Sequence, residues 1–178
     1  MRVIAGRLGG RNFESPHGHR THPMSEKIRG AIFNALGDVE GLSVLDAFAG
    51  TGALALEAVS RGAKSAVAID LDAAAHRIIG ENIESLGVGE QVKAVRASAA
   101  SWSRRHQTDK FDIVFLDPPY DNVEPRILTR LALQHTAPNN IVVMSLPPSE
   151  LFELPDKQFT KLISKVYGDA AVVIYRKL

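Results

Sequence analysis

The sequence predicts an α/β fold: a mostly parallel seven-stranded sheet with helices on both faces, a C-terminal antiparallel hairpin, and a short N-terminal β-hairpin and helix extension. Three observations predict it. From residue 42 onward, short β-rich runs alternate with helical-period segments, the pattern of a parallel sheet covered by helices. Ile113-Val114-Phe115-Leu116 and Ile141-Val142-Val143-Met144 are apolar throughout, as strands buried on both faces are. Near the end, two strand-like runs flank Gly168-Asp169, which is a hairpin turn signal.

The elements follow in order. Arg2-Val3-Ile4-Ala5 and Arg11-Asn12-Phe13-Glu14 alternate around Gly9-Gly10 and predict a β-hairpin. A polar loop through Ser15-Pro16-His17-Gly18 comes next. Pro23 and Ser25 then open a helix, with Ser25 as its N-cap. Ile28, Ile32, Phe33 and Leu36 share one face of it, and Gly37 supplies the stop. Strands are expected at 42–47, 65–70, 91–97, 111–117 and 140–146, and helices at 53–61, 73–86, 100–105 and 125–135. The hairpin pairs 159–166 with 170–175, and 147–157 is a loop with room for one helical turn. The chain thus divides into an extension, 1–38, and a main domain, 39–178.

The 178 residues, 45% hydrophobic and 23% charged, suit one globular unit and exclude wholesale disorder. The absence of cysteine excludes a disulfide scaffold, a thiolate zinc site, an iron–sulfur cluster and a cysteine nucleophile. No apolar run is long enough to span a membrane, and Met1-Arg2-Val3-Ile4-Ala5-Gly6-Arg7 lacks the apolar stretch of a secretory leader. The expectation is a cytoplasmic monomer with no membrane partner and no metal. His76, His106 and His135 are expected at the surface, and Trp102 in packing.

Charge is uneven. Residues 1–29 carry Arg2, Arg7, Arg11, Arg20, Lys27 and Arg29 against Glu14 and Glu26, a net +4, and the rest of the chain is −3. A basic arm on an acidic body suits a polyanionic partner, and its glycines suit close approach to an irregular surface. The plainer alternative is a basic arm for solubility, with Val3, Ile4 and Phe13 packing on the helices.

Open α/β sheets bind ligands at the carboxyl ends of their strands. The first strand runs into Asp46-Ala47-Phe48-Ala49-Gly50-Thr51-Gly52, where Gly50 and Gly52 permit a sharp turn and close backbone approach. The second ends at Asp70, a carboxylate able to accept both hydroxyls of a ribose. Gly50-x-Gly52-x-x-Ala55 with Asp70 also satisfies a loose dinucleotide fingerprint. Asp46 argues against that reading: it would repel a pyrophosphate but favour the ammonium and sulfonium of S-adenosylmethionine. Ser98, after the third strand, falls where an adenine would lie. Phe48, Ala49, Leu71 and Ala99 complete the expected cofactor-binding set with Asp46, Gly50, Gly52, Asp70 and Ser98.

After the fourth strand stands Asp117-Pro118-Pro119-Tyr120. Two prolines stiffen the backbone and remove two donors, leaving carbonyls free to accept. The exocyclic amine of a nucleobase has its lone pair delocalised into the ring. Hydrogen bonds from its N–H groups to the Asp117 side chain and the Pro118 carbonyl push it toward a tetrahedral nucleophile. Tyr120 offers a face on which an extruded base stacks. The proton can leave after methyl transfer, so no general base is required.

The order Asp46-x-Phe48-x-Gly50-x-Gly52, Asp70, Asp117-Pro118-Pro119-Tyr120 resembles class I S-adenosylmethionine-dependent methyltransferases of nucleobase amines. More narrowly, the chain resembles the RsmD family, which methylates the 2-amino group of guanine 966 in 16S ribosomal RNA. The match includes Val3-Ile4-Ala5-Gly6-Arg7, His22-Pro23-x-Ser25-Glu26-Lys27-Ile28-Arg29, and Asp46 through Leu54, continuing over Leu56-Glu57-Ala58 and Ser60-Arg61-Gly62-Ala63. The resemblance implies a Rossmann-like fold and cofactor contacts at Asp46, Gly50, Gly52 and Asp70. It also implies base contacts at Asp117–Tyr120 and, as partner, 16S ribosomal RNA in an assembling small subunit. RNA contacts are expected at Arg2, Arg7, Arg11, Arg20, Lys27 and Arg29. The family usually reads Arg-Pro-Thr where this chain has His22-Pro23-Met24, Asn or Asp at Ser98, and Glu at Asp70. A DNA adenine amino-methyltransferase and a non-catalytic RNA-binding chaperone are the alternatives. The first usually needs an added domain to read DNA sequence, and the intact Asp117–Tyr120 motif argues against the second.

Overall fold

Helix α1 (Glu26–Leu36) begins where the Ser25 hydroxyl accepts from the Ile28 N–H at 3.2 Å. It ends at Gly37, whose φ of 75° a residue with a side chain rarely adopts. The computed structural model describes residues 1–15 and 24–178. The expected loop over 16–18, the Pro23 helix start, His22 and Arg20 lie outside the described residues.

Next come β1 (Ser43–Asp46), α2 (Ala53–Ser60), β2 (Ser65–Asp70), α3 (Ala73–Leu86), β3 (Val92–Arg96), α4 (Ala99–Arg105), β4 (Phe111–Leu116) and α5 (Pro125–His135). The chain closes with β5 (Thr136–Leu146), β6 (Phe159–Tyr167) and β7 (Ala170–Lys177), and Pro148–Glu150 form one 3-10 turn. Expected and observed bounds agree closely except at the start of β5. There Thr136 already pairs with Phe111, and the register shifts before Ile113 meets Ile141. The polar Pro138-Asn139-Asn140 sits in this irregularity, with Asn139 at φ 66°, which hid the early start from a hydrophobic reading.

The seven strands are ordered β3-β2-β1-β4-β5-β7-β6. β1 to β5 run parallel, and β7 inserts antiparallel between β5 and β6. Chain order reverses beside β1, which pairs with β2 on one side and β4 on the other. The crevice that opens at such a switch point, at the carboxyl ends of the strands, is where ligands bind. One apolar layer packs α1 and α2 on the sheet through Phe33, Leu56, Val59 and Phe115. The other packs α4 and α5 through Trp102, Leu128, Leu131 and Val114. Burying these side chains at roughly 25 cal/mol per Å² of apolar surface drives the assembly.

The N-terminal arm doubles back as expected, but its ladder shrinks to one bridge, Arg2 with Asn12, supported by hydrogen bonds from the Val3 N–H to Arg11 O and the Phe13 N–H to Met1 O. The arm is stitched to the main domain. Glu57 of α2 accepts from the Ile4 and Ala5 N–H groups, and the Arg7 N–H reaches Ser60 O. Val3, Leu8 and Phe13 are buried in the same layer as α1 and α2. Gly6 serves this docking and not RNA approach: a Cβ there would lie 1.9 Å from Ser60 O.

His135 overturns the surface expectation. It is fully buried, with its ring nitrogens 2.9 Å from Asp109 O and 2.8 Å from Ser103 Oγ, and it tilts against Trp102. Its helix-end position suggested exposure, but α4 and the loop before β4 close over it.

Candidate active site

Asp46, the last residue of β1, is buried at 1% exposure. Neither of its carboxylate oxygens has a hydrogen-bond partner among the described residues. Burial, then the charges of Asp117 and Asp70, push its carboxyl up to about 8; the nearby amides of Phe48 and Ala55 pull the other way without full hydrogen bonds. A buried carboxylate without partners is costly. It stands at the carboxyl end of β1, at the switch point of the sheet, near enough to Asp117 and Asp70 for their charges to bear on it.

The glycine turn forms as expected. Gly50 and Gly52 hold φ of 56° and 80°, and Gly52 caps α2. The Gly50 N–H donates to Asp70 Oδ2 at 2.8 Å, and Asp72 N–H donates to Oδ1 at 2.9 Å. Asp70 therefore clasps the turn from β2 and keeps one lone pair on each oxygen for a ligand hydroxyl. Burial raises its carboxyl above the ordinary range. A Cβ at Gly50 would meet nothing within 4 Å, so space is open beside the turn. Leu71, 67% exposed, gives an apolar surface next to Asp70, and Phe48 is half-buried against the layer that α4 and α5 cover. The Ser98 hydroxyl accepts from Ser101 N–H at 3.2 Å as the N-cap of α4, leaving its proton and one lone pair to offer a ligand. Ala99, behind it, is buried.

Asp117 follows β4, the strand that pairs with β1. Burial pushes its carboxyl up to about 6, and the nearby Ser145 hydroxyl pulls it the other way. The Pro119 carbonyl accepts from Asn122 N–H at 3.0 Å and closes the turn. The Pro118 carbonyl accepts no backbone hydrogen bond among the described residues, so it stands ready for a ligand donor. Tyr120 is 38% exposed, with its Oη 3.5 Å from Ser145 Oγ.

Ser145 is the residue that sequence reading missed. It sits on β5 beside Asp117, because Leu116 pairs with Met144. It is buried at 2%, its Oγ meets Tyr120 Oη, and it lies close enough to Asp117 to pull that carboxyl down. The signal was a lone serine ending an otherwise apolar strand, too common to single out. Ser145→Ala is expected to raise the carboxyl of Asp117 further. If ionised Asp117 does the work, the acid limb of a turnover-against-pH profile moves to higher pH while cofactor affinity holds; an unmoved limb would place Ser145 outside the site.

The expected RNA contacts separate. Arg2 and Lys27 are exposed near the glycine turn: Arg2 pairs with Glu26 at 2.9 Å, and the Thr51 hydroxyl donates to Met1 Sδ. Arg7 and Arg11 lie at the opposite, amino edge of the sheet. Arg7 bonds Gln91 just before β3, and Arg11 donates to Ser85 O and Leu86 O, the last carbonyls of α3. Arg29 is a correction. It is fully buried, its guanidinium 3.6 Å from Glu57 and bonded to Arg2 O, so it reaches no phosphate. Glu57 draws it inward while also holding Arg61 at 2.7 Å.

A sheet of this strand order, with its glycine turn, its ribose-type acid and an Asp-Pro-Pro-Tyr loop at the switch point, defines a class I methyltransferase. Members of this class take their methyl group from S-adenosylmethionine. The family model described as "Conserved hypothetical protein 95" matches residues 1–176. YlbH of Bacillus subtilis is 30% identical over 182 residues, covering 99% of each chain. Ribosomal RNA small subunit methyltransferase D of Escherichia coli is 36% identical over 121 residues, covering 67% of this chain and 60% of that one. The solved structure of yhhF from Escherichia coli superposes with a TM-score of 0.87 at 28% identity, covering 99% of this chain and 97% of that one. The chain belongs to this family, the RsmD family of ribosomal RNA methyltransferases.

Proposed function

We propose that this chain transfers a methyl group from S-adenosylmethionine to the exocyclic 2-amino group of a guanine in 16S ribosomal RNA, working in the cytoplasm as a monomer on an assembling small subunit. The observation that carries the chemistry is the meeting of Asp117 and the free Pro118 carbonyl with the unpartnered Asp46 carboxylate in one crevice. The relatives named for small-subunit ribosomal RNA support the substrate.

The residues present fit the cofactor. Asp46 has two free carboxylate oxygens for a cationic group, Asp70 has lone pairs for ribose hydroxyls, and the open side of Gly50 admits a ligand against the backbone. Leu71, with Ser98 and Ala99 opposite it, would border the adenine. When bound, S-adenosylmethionine supplies an electrophilic methyl on a sulfonium.

The chain's own contribution is positional and electrostatic. Tyr120 stacks the extruded base, which is worth ~1–3 kcal/mol. Asp117 and the Pro118 carbonyl accept the two N–H bonds of the amine, freeing its lone pair. As the nitrogen becomes cationic, the charge of Asp117 stabilises it in a site with little water. The spare proton then leaves, with Asp117 the nearest acceptor.

Nucleoside mass spectrometry of ribosomal RNA from cells with and without the gene tests the proposal. Loss of N2-methylguanosine from the small-subunit RNA is expected. Loss of a different methylated nucleoside would reassign the target, and no loss would overturn the substrate.

A further inference from the structure

Strand β6 is an edge strand with an unusual surface. Leu162, Ile163 and Val166 are 42%, 38% and 58% exposed, alongside exposed Lys161 and Lys165. A register shift between Lys161 and Ile163 changes which side chains share a face. Beyond it, Ile163, Lys165 and Tyr167 stand opposite Ile174, Val172 and Ala170. Val172 in turn stands opposite Ser145 on β5. Lys165 thus lies two strands from the residue whose hydroxyl meets Tyr120, roughly 10 Å at the usual strand spacing. Its face is also the one α1 covers, since Val172 and Ile174 share a core layer with Ile28, Ile32 and Phe33.

β6 runs parallel to β5, so Tyr167 is at the carboxyl edge, where the site is. The turn beyond it brings Asp169 close enough for its charge to bear on the Tyr120 phenol. The Lys165 ammonium rests over the Tyr167 ring at 5.3 Å. A cation on an aromatic face at the rim of a base pocket is the pairing that binds single-stranded nucleic acid, with the charge for a phosphate and the ring for a base. Lys161 is spoken for by Glu153, whereas Lys165 has no acidic partner among the described residues. Asp169 repels phosphate at the hairpin tip, which steers the backbone toward Lys165 and not over the turn.

Resting on the RNA methyltransferase reading, we infer that Ile163, Lys165 and Tyr167 form a docking face for the single-stranded RNA flanking the target guanine. It lies across the pocket from Arg2 and Lys27, so the two basic groups hold the strand on either side of the extruded base. The partner is RNA because the face combines exposed positive charge with a half-buried aromatic ring at the carboxyl edge of the sheet. A second copy of the chain is the competing occupant of an exposed edge strand.

The test uses the full chain and a labelled, short unstructured oligoribonucleotide containing guanine, followed by fluorescence anisotropy across a salt titration. Lys165→Ala is expected to weaken binding severalfold and to lower the salt slope by about one. Tyr167→Ala is expected to weaken it by about tenfold or more, and Tyr167→Phe to restore it. Lys64→Ala, exposed at the amino edge, is expected to bind as wild type. Cofactor affinity by calorimetry holds throughout, and methyl transfer loses KM more than kcat. Wild-type binding by Lys165→Ala at every salt concentration overturns the face while leaving the enzyme's function intact. A wild-type chain that neither binds nor methylates RNA overturns the underlying function and the face with it. A dimer in sedimentation velocity that Lys165→Glu dissociates overturns the RNA face in favour of a second copy.

Discussion

Replacing Asp117 by alanine is expected to lower turnover by about 10²–10³-fold, the usual loss when a group that meets transition-state charge is removed. Cofactor affinity should hold or tighten slightly, because Asp117 is one of the charges that keep Asp46 from ionising. The losses in kcat and kcat/KM should match, the mark of an interaction made only in the transition state. Asp117→Asn keeps an accepting oxygen without charge and should fall between. The wild type should carry an acid limb near the value of about 6 to which Asp117 is pushed, since protonation below it removes the charge. Single-turnover transfer of labelled methyl at saturating cofactor, with calorimetry on each variant, checks these outcomes. Near-wild-type kcat in Asp117→Ala would remove it from the chemistry.

Asp46→Asn is expected to act in opposite directions on binding and stability. The side chain keeps its shape but can no longer ionise to meet a cationic cofactor, so affinity should drop by at least tenfold. The same change should stabilise the chain without cofactor. The sign follows from linkage. The carboxyl stands at 3.8 when unfolded and is raised to about 8 by folding. Its contribution is therefore fully present below about pH 4 and is lost as pH rises through about 8, where the ionised form is buried without partners. At neutral pH the difference is on the order of a few kcal/mol. The gap in melting temperature between Asp46→Asn and wild type should widen from pH 5 to pH 8. A gap independent of pH would mean that Asp46 is already ionised and partnered. S-adenosylhomocysteine, which lacks the sulfonium charge, should lose less affinity than S-adenosylmethionine.

The buried ion cluster shows how chemistry can hide behind composition. Six basic residues within 1–29 read as one RNA-docking arm. In the structure Arg29 turns inward to Glu57, Arg11 closes the end of α3, and Arg7 bonds Gln91. Removing Glu57 would leave a buried guanidinium unpaired, the costly half of a broken ion pair. Glu57 lies 53 residues from Ile4, whose N–H it accepts, so no window of sequence reveals their pairing.

The order of elements and the carboxylates at the strand ends could be read from the chain alone. Strand and helix periods are local, and so are the Ser25 cap, the Gly37 stop and the glycine turn after Asp46. Ligand crevices of such sheets form at strand ends, so Asp46, Asp70 and Asp117–Tyr120 stand out as candidates without any contact being known. Only the tertiary structure decided the fate of individual charges and the small polar residues between them. Ser145 comes beside Asp117 and Tyr120 because β5 lies beside β4, and His135 is buried because α4 closes over α5. The face that Lys165 shares was set by a register shift in β6, since one extra residue in a strand moves every later side chain to the other side. Burial and pairing depend on partners far apart in the chain, and those partners exist only once the sheet has assembled.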